Sequence, residues 1–598
     1  MSTNSKSMNG TKPNPIILYK DDEIQEYETQ IQAFRRGETP EDAFRFFRLH
    51  LGVYGQRQSD VQMMRIKIPG GVMHADQLEA MGEIVEKYTP LQKGHITTRE
   101  NVQIHHLTLE TAAEVFRILE GVGLSTREAC GNTVRNVIAC PMVGLDPQQA
   151  FDLRPYLGAY VRNFLRRDFT NNMPRKIKTA FSCGEHDCAV TAMHDIGFIA
   201  RVREVDGQPR KGFKIVVGGG TSIHALMAQT LYEFVPVEEF LKVCEAVLQV
   251  YNRTAWLRKS IMKARIKELV HSAGMEEFRR LVEEELQQEW AQSYEDRSHL
   301  LWFDDEQADV PSLPTNGHRP LGGDDPAFQL WKATNVTPQE QEGYCLVGVT
   351  VFRGDVVPEQ WRGLAQIARK YASHRAHTTA EQNLLFRWVP KAYLHEMYQE
   401  LKALGLARAG MNEITDLTSC PGTDSCKLGI TSAMGLNKAV TDALEGSNGL
   451  LSDPLVRGMH VKMSGCPNGC GRHHVADIGF HGAAMKGPTG GQVPAYELFV
   501  GGSYENADVR YGLRPKGKIP AKRVPDLVLR LLQFYQEQRQ DGEIFKEFAA
   551  RLGPGPFEAI LHEMNQVPSL GKDSIQMYMD YEKSVLYKME RGEGECAT

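Results

Sequence analysis

The stretch "MMRIKIPGGVMHADQLEAMGEIVEKY" (63–88) has the pattern of an alternating strand, a Gly-containing turn and an amphipathic helix. The stretch "GVTVFRGDVVPEQWRGLAQIARKY" (348–371) repeats this order later in the chain. A second strand follows each copy, in "HITTRENVQIHHL" (95–107) and "HTTAEQNLLFRWV" (377–389). Repetition at a constant offset, here about 282 positions, indicates two related structural units. The sequence therefore predicts a duplicated strand-helix-strand unit.

The repetition continues beyond these units. The stretch "SCGEHDCAVTAMHDIGF" (182–198) aligns without a gap on "SGCPNGCGRHHVADIGF" (464–480), which brings their last cysteines into register. The stretch "ACPMVG" (139–144) is similarly echoed by "SCPGTD" (419–424). Each half is therefore predicted to continue into a larger α/β unit.

The composition limits the class of protein. At 598 residues the chain is too long for one ordinary core, and several domains are expected. Its 41% hydrophobic and 24% charged residues are typical of a soluble globular protein. The formal net charge of -6 argues against nucleic-acid binding by the chain as a whole. Because the sequence shows neither a secretory signal nor an apolar run of about 20 residues, we expect a cytoplasmic protein with no membrane partner.

Four of the eleven cysteines lie close together in sequence, in the pattern C-x5-C and then C-x3-C. They are Cys420, Cys426, Cys466 and Cys470, and both pairs lie in turns rich in Pro and Gly. The first spacing is wide for a zinc knuckle, whereas Gly-rich turns provide the backbone N–H donors that an iron–sulfur cluster uses. The spacing favours a four-thiolate [4Fe–4S] cluster, and a zinc ion or metal-free thiols are the alternatives. The other seven cysteines are scattered along the chain: Cys130, Cys140, Cys183, Cys188, Cys244, Cys345 and Cys596. Most of them are interpreted as small buried apolar side chains.

The two copies differ in charge. We align Arg65 of the first copy with Val349 of the second, and Arg99 with Ala380. The first copy also contains the basic run "RKIK", whereas only the second has the complete set of four cysteines. Inward-facing cations are costly unless an anion binds beside them, so this asymmetry favours an anion site over a solvated basic surface.

Taken together, these motifs resemble the siroheme-dependent sulfite and nitrite reductases. The two cysteine pairs with "CPNGC", and the segments "TTRENVQIH", "VRNV" and "PRKIK", occur in that family's order. The internal repeat is similar to the family's pseudo-twofold design. The resemblance covers roughly residues 40–500.

The resemblance implies two cofactors, a [4Fe–4S] cluster and siroheme, an iron macrocycle rich in carboxylates. By position, Cys420, Cys426, Cys466 and Cys470 would hold the cluster. The sulfur of Cys470 would also reach the siroheme iron, so that electrons transfer over only a short distance between the two cofactors.

The resemblance also implies a cationic pocket on the distal side of the siroheme iron. Four side chains would bind the oxyanion and supply or orient protons: Arg65, Arg135, Lys176 and Lys178. Five others would hold siroheme carboxylates or order the pocket: Arg99, Gln103, His105, Asn136 and Arg175. Tyr54 and Cys130 match positions that form a covalent thioether in some members, and a packing Tyr beside a free thiol is the alternative.

The implied reaction is the six-electron reduction of sulfite to sulfide, in which each departing oxygen needs a proton. Lys178 favours sulfite, because many members that reduce nitrite have Asn there and sulfite carries more negative charge. Reduction of nitrite to ammonia by the same cofactors is the alternative. A different class, a non-catalytic or nucleic-acid-processing protein with a structural Fe–S cluster, would not require the four buried cations.

The electron donor is expected to be another protein. No G-x-G-x-x-G fingerprint follows a convincing strand, and the chain is short for an added flavin domain. A ferredoxin is the simpler donor, and a separate flavoprotein subunit is the alternative.

The fold class is predicted as α+β, with two pseudo-twofold-related halves that place siroheme and cluster at their interface. Each half is expected to contain a ferredoxin-like strand-helix-strand unit and a larger mixed α/β unit. Residues 226–300 and about 520–598 are predicted to be helical, and residues 1–40 to form a partly disordered arm. The predicted segments are the N-terminal arm (1–60), ferredoxin-like repeat 1 (61–125), the siroheme and substrate domain (126–300), a linker (301–340), ferredoxin-like repeat 2 (341–410), the [4Fe–4S] and siroheme domain (411–510) and a C-terminal helical extension (511–598).

Overall fold

The computed structural model describes residues 20–301, 304–314, 325–447, 449–505, 507–592 and 594–595. Among them, no helix is both long and apolar enough to cross a membrane.

The strands of the first half are β1 (Val53–Gly55), β2 (Gln62–Ile66), β3 (Val72–His74), β4 (Gly94–Ile96), β5 (Val102–Leu107), β6 (Val134–Ala139), β7 (Ile177–Ser182), β8 (Ile196–Val205), β9 (Gln208–Val217) and β10 (Gln229–Pro236). Those of the second half are β11 (Val336–Pro338), β12 (Tyr344–Val349), β13 (Asp355–Val356), β14 (Arg375–Thr378), β15 (Leu384–Pro390), β16 (Thr418–Ser419), β17 (Val461–Ser464), β18 (Ile478–Lys486), β19 (Gln492–Val500), β20 (Ser503–Glu505), β21 (Asp508–Arg510) and β22 (Ile519–Pro520).

The helices surround these strands. Those of the first half are α1 (Asp21–Arg35), α2 (Glu41–His50), α3 (Ala75–Tyr88), α4 (Leu109–Gly121), α5 (Arg154–Phe164), α6 (Asp168–Asn171), α7 (Phe240–Arg253), α8 (Ile266–Ala273), α9 (Met275–Leu286) and α10 (Glu289–Gln292). Those of the second half are α11 (Pro326–Asn335), α12 (Pro358–Tyr371), α13 (Leu394–Ala403), α14 (Ala433–Glu445), α15 (Pro454–Arg457), α16 (Val524–Gln538), α17 (Phe545–Leu552) and α18 (Gly555–Met564).

The two ferredoxin-like units exchange an edge strand. The first sheet has the order β1-β2-β5-β4-β13, and the second has the order β11-β12-β15-β14-β3. Thus β13 pairs antiparallel with β4, Asp355 opposite His95, and β3 pairs antiparallel with β14, His74 opposite Arg375. Helices α3 and α12 pack on each other, and one hydrophobic core includes buried residues of both units, such as Met81. The exchange therefore joins the two halves at their centre.

The two larger units have matching sheets. One has the order β6-β7-β8-β9-β10 and the other β16-β17-β18-β19-β22. In each, the first three strands are parallel and the fourth is antiparallel to the third. The carboxyl ends of the parallel strands meet at one edge, which is where α/β sheets commonly bind ligands. These two sheets and the ferredoxin-like pair confirm the predicted α+β class with duplicated halves.

The backbone corrects our alignment of Arg65. The turn after each first strand has the same unusual conformation, with φ of 61° at Gly70 and 58° at Arg353. Counting back from these residues places Arg65 opposite Gly348 in the repeat, not Val349.

Our alignment of Arg99 is also wrong by one position. Glu100 and Gln382 hold the same left-handed conformation at the start of the second strand, with φ of 60° and 70°. The counterpart of Arg99 is therefore Glu381 and not Ala380, so the change between copies reverses the charge rather than removing it.

The N-terminal arm is more ordered than predicted. Residues 1–19 lie outside the described residues, but α1 and α2 follow them and are helical. Tyr27 and Ile31 of α1 and Phe44 of α2 belong to the core shared by the ferredoxin-like units. An amphipathic stripe hidden among many charges accounts for the difference.

Two further predictions of secondary structure are wrong in part. In the segment 226–300, predicted to be helical, β10 is the edge strand of the first large sheet. In the predicted linker, residues 302–303 and 315–324 lie outside the described residues, but α11 and β11 form regular structure. Glu306 in this linker is buried and pairs with Arg387, so the segment also contributes to the packing.

The C-terminal extension is helical only up to α18. Beyond it, the chain is largely irregular and returns to the first half, where the Glu595 carboxylate lies 2.7 Å from each of two nitrogens of the Arg48 guanidinium. The Gly55 N–H donates to the same carboxylate at 2.6 Å, and Lys427 lies 3.2 Å from it. Burial alone would raise the pKa of Glu595, but the hydrogen bond and charge of Arg48, with Lys427, hold it low.

We predict that Glu595→Ala releases this tail, because the substitution leaves Arg48 buried without its partner. Breaking a buried ion pair typically costs about 3–5 kcal/mol. Limited proteolysis should cleave the tail faster, while the exposed Glu590→Ala serves as the unaffected control. In the unsubstituted protein, the Glu595 carboxylate stabilises the tail fully when the pH is above about 4.3, the pKa of Glu in an unfolded chain. This stabilisation is lost as the pH falls further, through the lower pKa of the folded state. Equal cleavage rates for both variants would contradict the anchoring role.

Candidate functional site

The four predicted cluster cysteines lie on two loops at one edge of the second large sheet. Cys420 directly follows β16, and Cys466 lies two residues after the neighbouring parallel strand β17. The Gly465 N–H donates to the Cys420 sulfur at 3.1 Å. Cys426 and Cys470 follow on the turns that these strands lead into. The fold therefore brings together the C-x5-C and C-x3-C pairs.

The four thiols act on one another electrostatically. Burial raises the pKa of Cys420, and the charges of Cys470, Cys466 and Cys426 raise it further. Burial and the charges of Cys470 and Cys426 likewise raise the pKa of Cys466 to about 12. Four thiolates could not coexist here without cations, which a bound metal centre would supply.

The conformation of the "CPNGC" turn requires glycine at position 469. Gly469 has a φ of +70°, and a Cβ added there would lie 2.8 Å from the Thr221 Cβ of the first half. The Thr221 hydroxyl donates to the Asn468 carbonyl at 3.3 Å, and the Thr98 hydroxyl donates to the Cys470 carbonyl at 2.7 Å. The first half therefore contacts the cysteine turn from two loops.

Lys178 of the first half interacts electrostatically with both the arginines and the cysteines. Its backbone N–H donates to Asp195 at 2.8 Å, but the Asp195 carboxylate is paired with Arg265 at 2.6 Å. In the described part of the chain, the Lys178 ammonium has no ion pair. Burial and the charges of Arg265 and Arg99 lower its pKa well below the usual value, whereas the charge of Cys470 acts in the opposite direction. Lys178 therefore lies within electrostatic range of both Arg99 and Cys470.

Arg99 and Asn136 form a second part of the pocket. The Arg99 guanidinium donates to the Asn136 carbonyl, and the Asn136 amide donates to the Arg99 carbonyl at 3.0 Å. Burial is the main cause that lowers the pKa of Arg99 to about 9. The Arg99 Nε and the Asn136 Oδ1 are buried without a hydrogen-bond partner among the described residues. Such atoms indicate a group that binds there.

Arg65, Arg135 and Arg175 surround one loop. The Arg65 and Arg135 guanidinium groups both donate to the Ala129 carbonyl, at 3.2 and 2.7 Å, and Arg175 donates to the Asn132 side chain at 3.2 Å. Gln103 faces Arg65 across β2 and β5, and with its side-chain amide turned so that the oxygen faces Arg65, this oxygen lies 2.7 Å from an Arg65 nitrogen. Lys176 is next to Arg175 in the sequence. The predicted cations of this loop are therefore close together.

The other three predicted residues have distinct surroundings. His105 is buried, and burial and the charge of His95 lower its pKa to about 3, so the ring is neutral. Its Nδ1 has no partner in the parts of the chain described. Tyr54 and Cys130 belong to one small buried cluster, and the Arg65 guanidinium lies 3.2 Å from the Cys130 sulfur.

Two arginines at this site were missed by the sequence reasoning. Arg472 is buried in a left-handed conformation, and its NH2 group has no hydrogen-bond partner within the described residues. Arg57 donates to the carbonyls of Cys426 and Gly429, at 3.3 and 2.7 Å, and so joins the first half to the cysteine loop. Arg472 follows the quoted "CPNGC" motif by two positions, which is a signal that could have been used. For Arg57 the sequence offers none.

The fold and these residues define a protein of two duplicated halves, in which Lys178 of the first half lies within electrostatic range of Cys470 of the second. The family model described as "Nitrite and sulphite reductase 4Fe-4S domain" matches residues 130–290 and 410–568. The model described as "Nitrite/Sulfite reductase ferredoxin-like half domain" matches residues 54–122 and 337–404. The chain belongs to the nitrite and sulfite reductase family, whose members are oxidoreductases.

Individual relatives include enzymes named for either anion. Sulfite reductase (ferredoxin) 1 of Mycolicibacterium paratuberculosis is 31% identical, over 82% of this chain and 82% of its own length. The assimilatory ferredoxin-dependent nitrite reductase of Haloferax mediterranei is 29% identical, over 84% of each chain. The solved structure of the Mycobacterium tuberculosis NirA protein is similar with a TM-score of 0.72 and 26% identity, covering 91% of this chain and 98% of that one.

The cofactors are siroheme and a [4Fe–4S] cluster, and the residues present fit both. Cys420 and Cys466 lie at the ends of parallel strands, Cys426 and Cys470 lie on the turns that follow, and the Gly465 N–H already donates to the Cys420 sulfur. The buried nitrogens of Arg99, Arg472 and His105 that have no partner among the described residues are suited to the carboxylates of a macrocycle.

We predict that Gly469→Ala weakens cofactor binding, because the added methyl group would clash with Thr221 and strain the backbone. Gly490 is the matched control, since its φ is +86° but a Cβ there would meet nothing within 4 Å. Both variants should bear about 1–2 kcal/mol of backbone strain, and only Gly469→Ala should lose iron and siroheme absorption. Equal cofactor contents in the two variants would contradict this account of the turn.

Proposed function

We propose that the protein reduces sulfite to sulfide, using siroheme coupled to the [4Fe–4S] cluster. The observation that carries this proposal is the position of Lys178. Its buried ammonium has no ion pair among the described residues and lies within electrostatic range of Cys470. A structural iron–sulfur cluster would not require a buried cation beside its ligand. An anionic guest in this space would offset the cost of burying the charge.

Cys420, Cys426, Cys466 and Cys470 would hold the cluster, and Cys470 would also reach the siroheme iron. Among these four, Cys470 is exposed in the protein, as a residue that faces a second cofactor should be. Arg99, Gln103, His105, Asn136 and Arg175 would bind siroheme carboxylates or order the pocket. When bound, siroheme would supply the iron at which the anion is reduced, and the cluster would pass on to it the electrons that the donor protein provides.

The cations of the first half would bind and orient the substrate. Arg65 and Arg135 offer planar guanidinium groups that suit an oxyanion, whereas Lys176 and Lys178 offer compact ammonium groups. The lowered pKa of Lys178 makes its proton easier to give to a departing oxygen. Once the proton is transferred, the neutral amine is also the form that burial favours.

Sulfite is favoured over nitrite by charge. Sulfite carries up to two negative charges near neutral pH and nitrite carries one, so each buried cation discriminates in favour of sulfite. Arg99 and Arg265 lie close enough to Lys178 to lower its pKa, and Asp195 pairs with Arg265 but not with the Lys178 ammonium. Reduction of nitrite to ammonia is the second candidate, since nitrite reductases are among the relatives.

The electron donor is proposed to be a ferredoxin. Sulfite reductases and nitrite reductases among the relatives both have ferredoxin in their names. A separate flavoprotein is the alternative donor. Turnover with reduced ferredoxin as the sole donor tests this part of the proposal.

Steady-state turnover of the purified holoenzyme with each anion and a chemical reductant tests the substrate. We expect a higher kcat/KM for sulfite than for nitrite. In Lys178→Asn, the ratio of the two values should fall by roughly tenfold, equivalent to about 1.4 kcal/mol. Lys178→Arg, which keeps the charge, should retain the preference. A higher kcat/KM for nitrite in the unsubstituted enzyme would refute sulfite as the substrate, and an unchanged ratio in Lys178→Asn would exclude this residue as the selector.

The thioether between Tyr54 and Cys130 stays a prediction. Its formation is a two-electron oxidation: one hydrogen atom leaves the ring and one leaves the thiol, and an external oxidant such as dioxygen must accept both. The new carbon–sulfur bond would join two tryptic peptides. Mass spectrometry of the digested protein should find this joined species. Detection of only the separate peptides, with Cys130 open to alkylation, would show a free thiol.

A further inference from the structure

Three cysteines that we interpreted as separate apolar residues lie together in the first half. Cys140, Cys183 and Cys188 and the Asp146 carboxylate place their ligand atoms within 4.8 Å of one another. Cys140 and Cys183 are buried, and the other two are half-buried. Of the described residues, this set alone brings three or more such ligand atoms that close, so it is more compact than the four cluster cysteines.

The set lies at the position that the cluster cysteines occupy in the other half. Cys140 follows β6 as Cys420 follows β16, and both strands pair in the same register with the next parallel strand. Asp146 lies six positions after Cys140, where the second half has Cys426 six positions after Cys420. The duplication therefore places an acidic residue where the second half has a thiol.

The remaining two ligands, Cys183 and Cys188, lie on the loop after β7, which corresponds to the loop after β17 in the second half. Cys188 is the counterpart of Cys470, since the residue two positions later is left-handed in both copies, with φ of 54° at Val190 and 62° at Arg472. Cys183 directly follows β7 and has no counterpart among the cluster cysteines. The first half thus has three cysteines and one aspartate where the second half has four cysteines.

The distances suit one tetrahedral ion. The Cys183 and Cys188 sulfurs are 3.7 Å apart, and the Cys183 sulfur is 3.4 Å from the Asp146 carboxylate. Zinc–sulfur bonds of about 2.3 Å in a tetrahedron place two sulfurs about 3.8 Å apart. A disulfide would require about 2.05 Å between them, and a multi-iron cluster needs its ligand sulfurs further apart.

We infer that Cys140, Cys183, Cys188 and Asp146 bind one zinc-like divalent cation, separate from both cofactors. Three thiolates and a carboxylate form a soft, anionic set, which selects zinc over magnesium or calcium. Binding releases the thiol protons and leaves the oxidation state of the sulfurs unchanged. His186, whose Nε2 is 2.9 Å from the Asp146 carboxylate, would hold that ligand in place from outside the first coordination shell.

The position of the ion indicates a structural role. The loop after Cys140 contacts the second ferredoxin-like unit, since Arg387 donates to the carbonyls of Pro141 and Val143, at 3.0 and 2.8 Å. The loop with Cys183 and Cys188 accepts a hydrogen bond at the His186 carbonyl from Ala507 of the second half. An ion that joins these two loops would stabilise contacts between the halves.

Zinc and iron analysis of the purified holoenzyme tests the inference. We expect about one zinc per chain in addition to the iron of the cofactors. X-ray absorption at the zinc edge should show three sulfur ligands at about 2.3 Å and one lighter ligand at about 2.0 Å. This readout does not depend on activity, so it stands apart from the test of the proposed reaction.

Substitution identifies the site. Cys183→Ser should lower the zinc content at least tenfold while the iron content and siroheme absorption stay unchanged. Cys244→Ser is the matched control, because Cys244 is a buried thiol beside Tyr160, outside this group. If Cys183→Ser fails to fold, Asp146→Asn and reversible zinc removal by a chelator give the same test. Absence of zinc even after incubation with one equivalent, or a disulfide between Cys183 and Cys188 in the fresh protein, would overturn the inference.

Discussion

The exchange of edge strands between the ferredoxin-like units is the constraint on which the site depends. Because β3 completes the second sheet and β13 completes the first, neither unit has its full sheet without the other half. A shift of one residue in either pairing would turn the alternating side chains away from their core. The register thereby fixes where the loop after β4 lies, and the hydrogen bond from Thr98 to the Cys470 carbonyl depends on that position.

Charge separates the roles of the two halves. In the first half, Arg99 has a buried nitrogen without a partner, and Lys178 has no ion pair within the described residues. At the counterpart of Arg99, the second half has Glu381, which lies 3.3 Å from Arg472 and 3.7 Å from Lys462. The equivalent space in the second half is therefore neutralised by the protein itself. The proposed anion site lies in the half where the protein does not provide this counter-charge itself.

Much of the fold and of the candidate site could be predicted from the sequence, because a pattern that is weak in one half is repeated in the other. The repeat gave the halves and the α+β class, and the C-x5-C and C-x3-C spacing indicated the thiols that the fold brings together. The strand exchange could not be predicted, since β13 comprises only two residues and no local pattern states which sheet they join. Alignments based on residue likeness misplaced Arg99 by one position, because only the left-handed backbone at Glu100 and Gln382 fixes that register. The contact of Arg57 with the Cys426 loop depends on tertiary packing alone.

The same topology has led to two different sulfur sites. At the carboxyl ends of the parallel strands, both halves place a cysteine after the first strand and another on the following turn. In the second half the four sulfurs do not converge within 4.8 Å, which leaves room for several irons, and Cys470 is exposed and within electrostatic range of Lys178. In the first half, Asp146 replaces a thiol, Cys183 directly follows its strand, and the ligand atoms converge. A single redox-inactive ion suits a position whose neighbours join the two halves, because it adds rigidity without adding a second route for electrons.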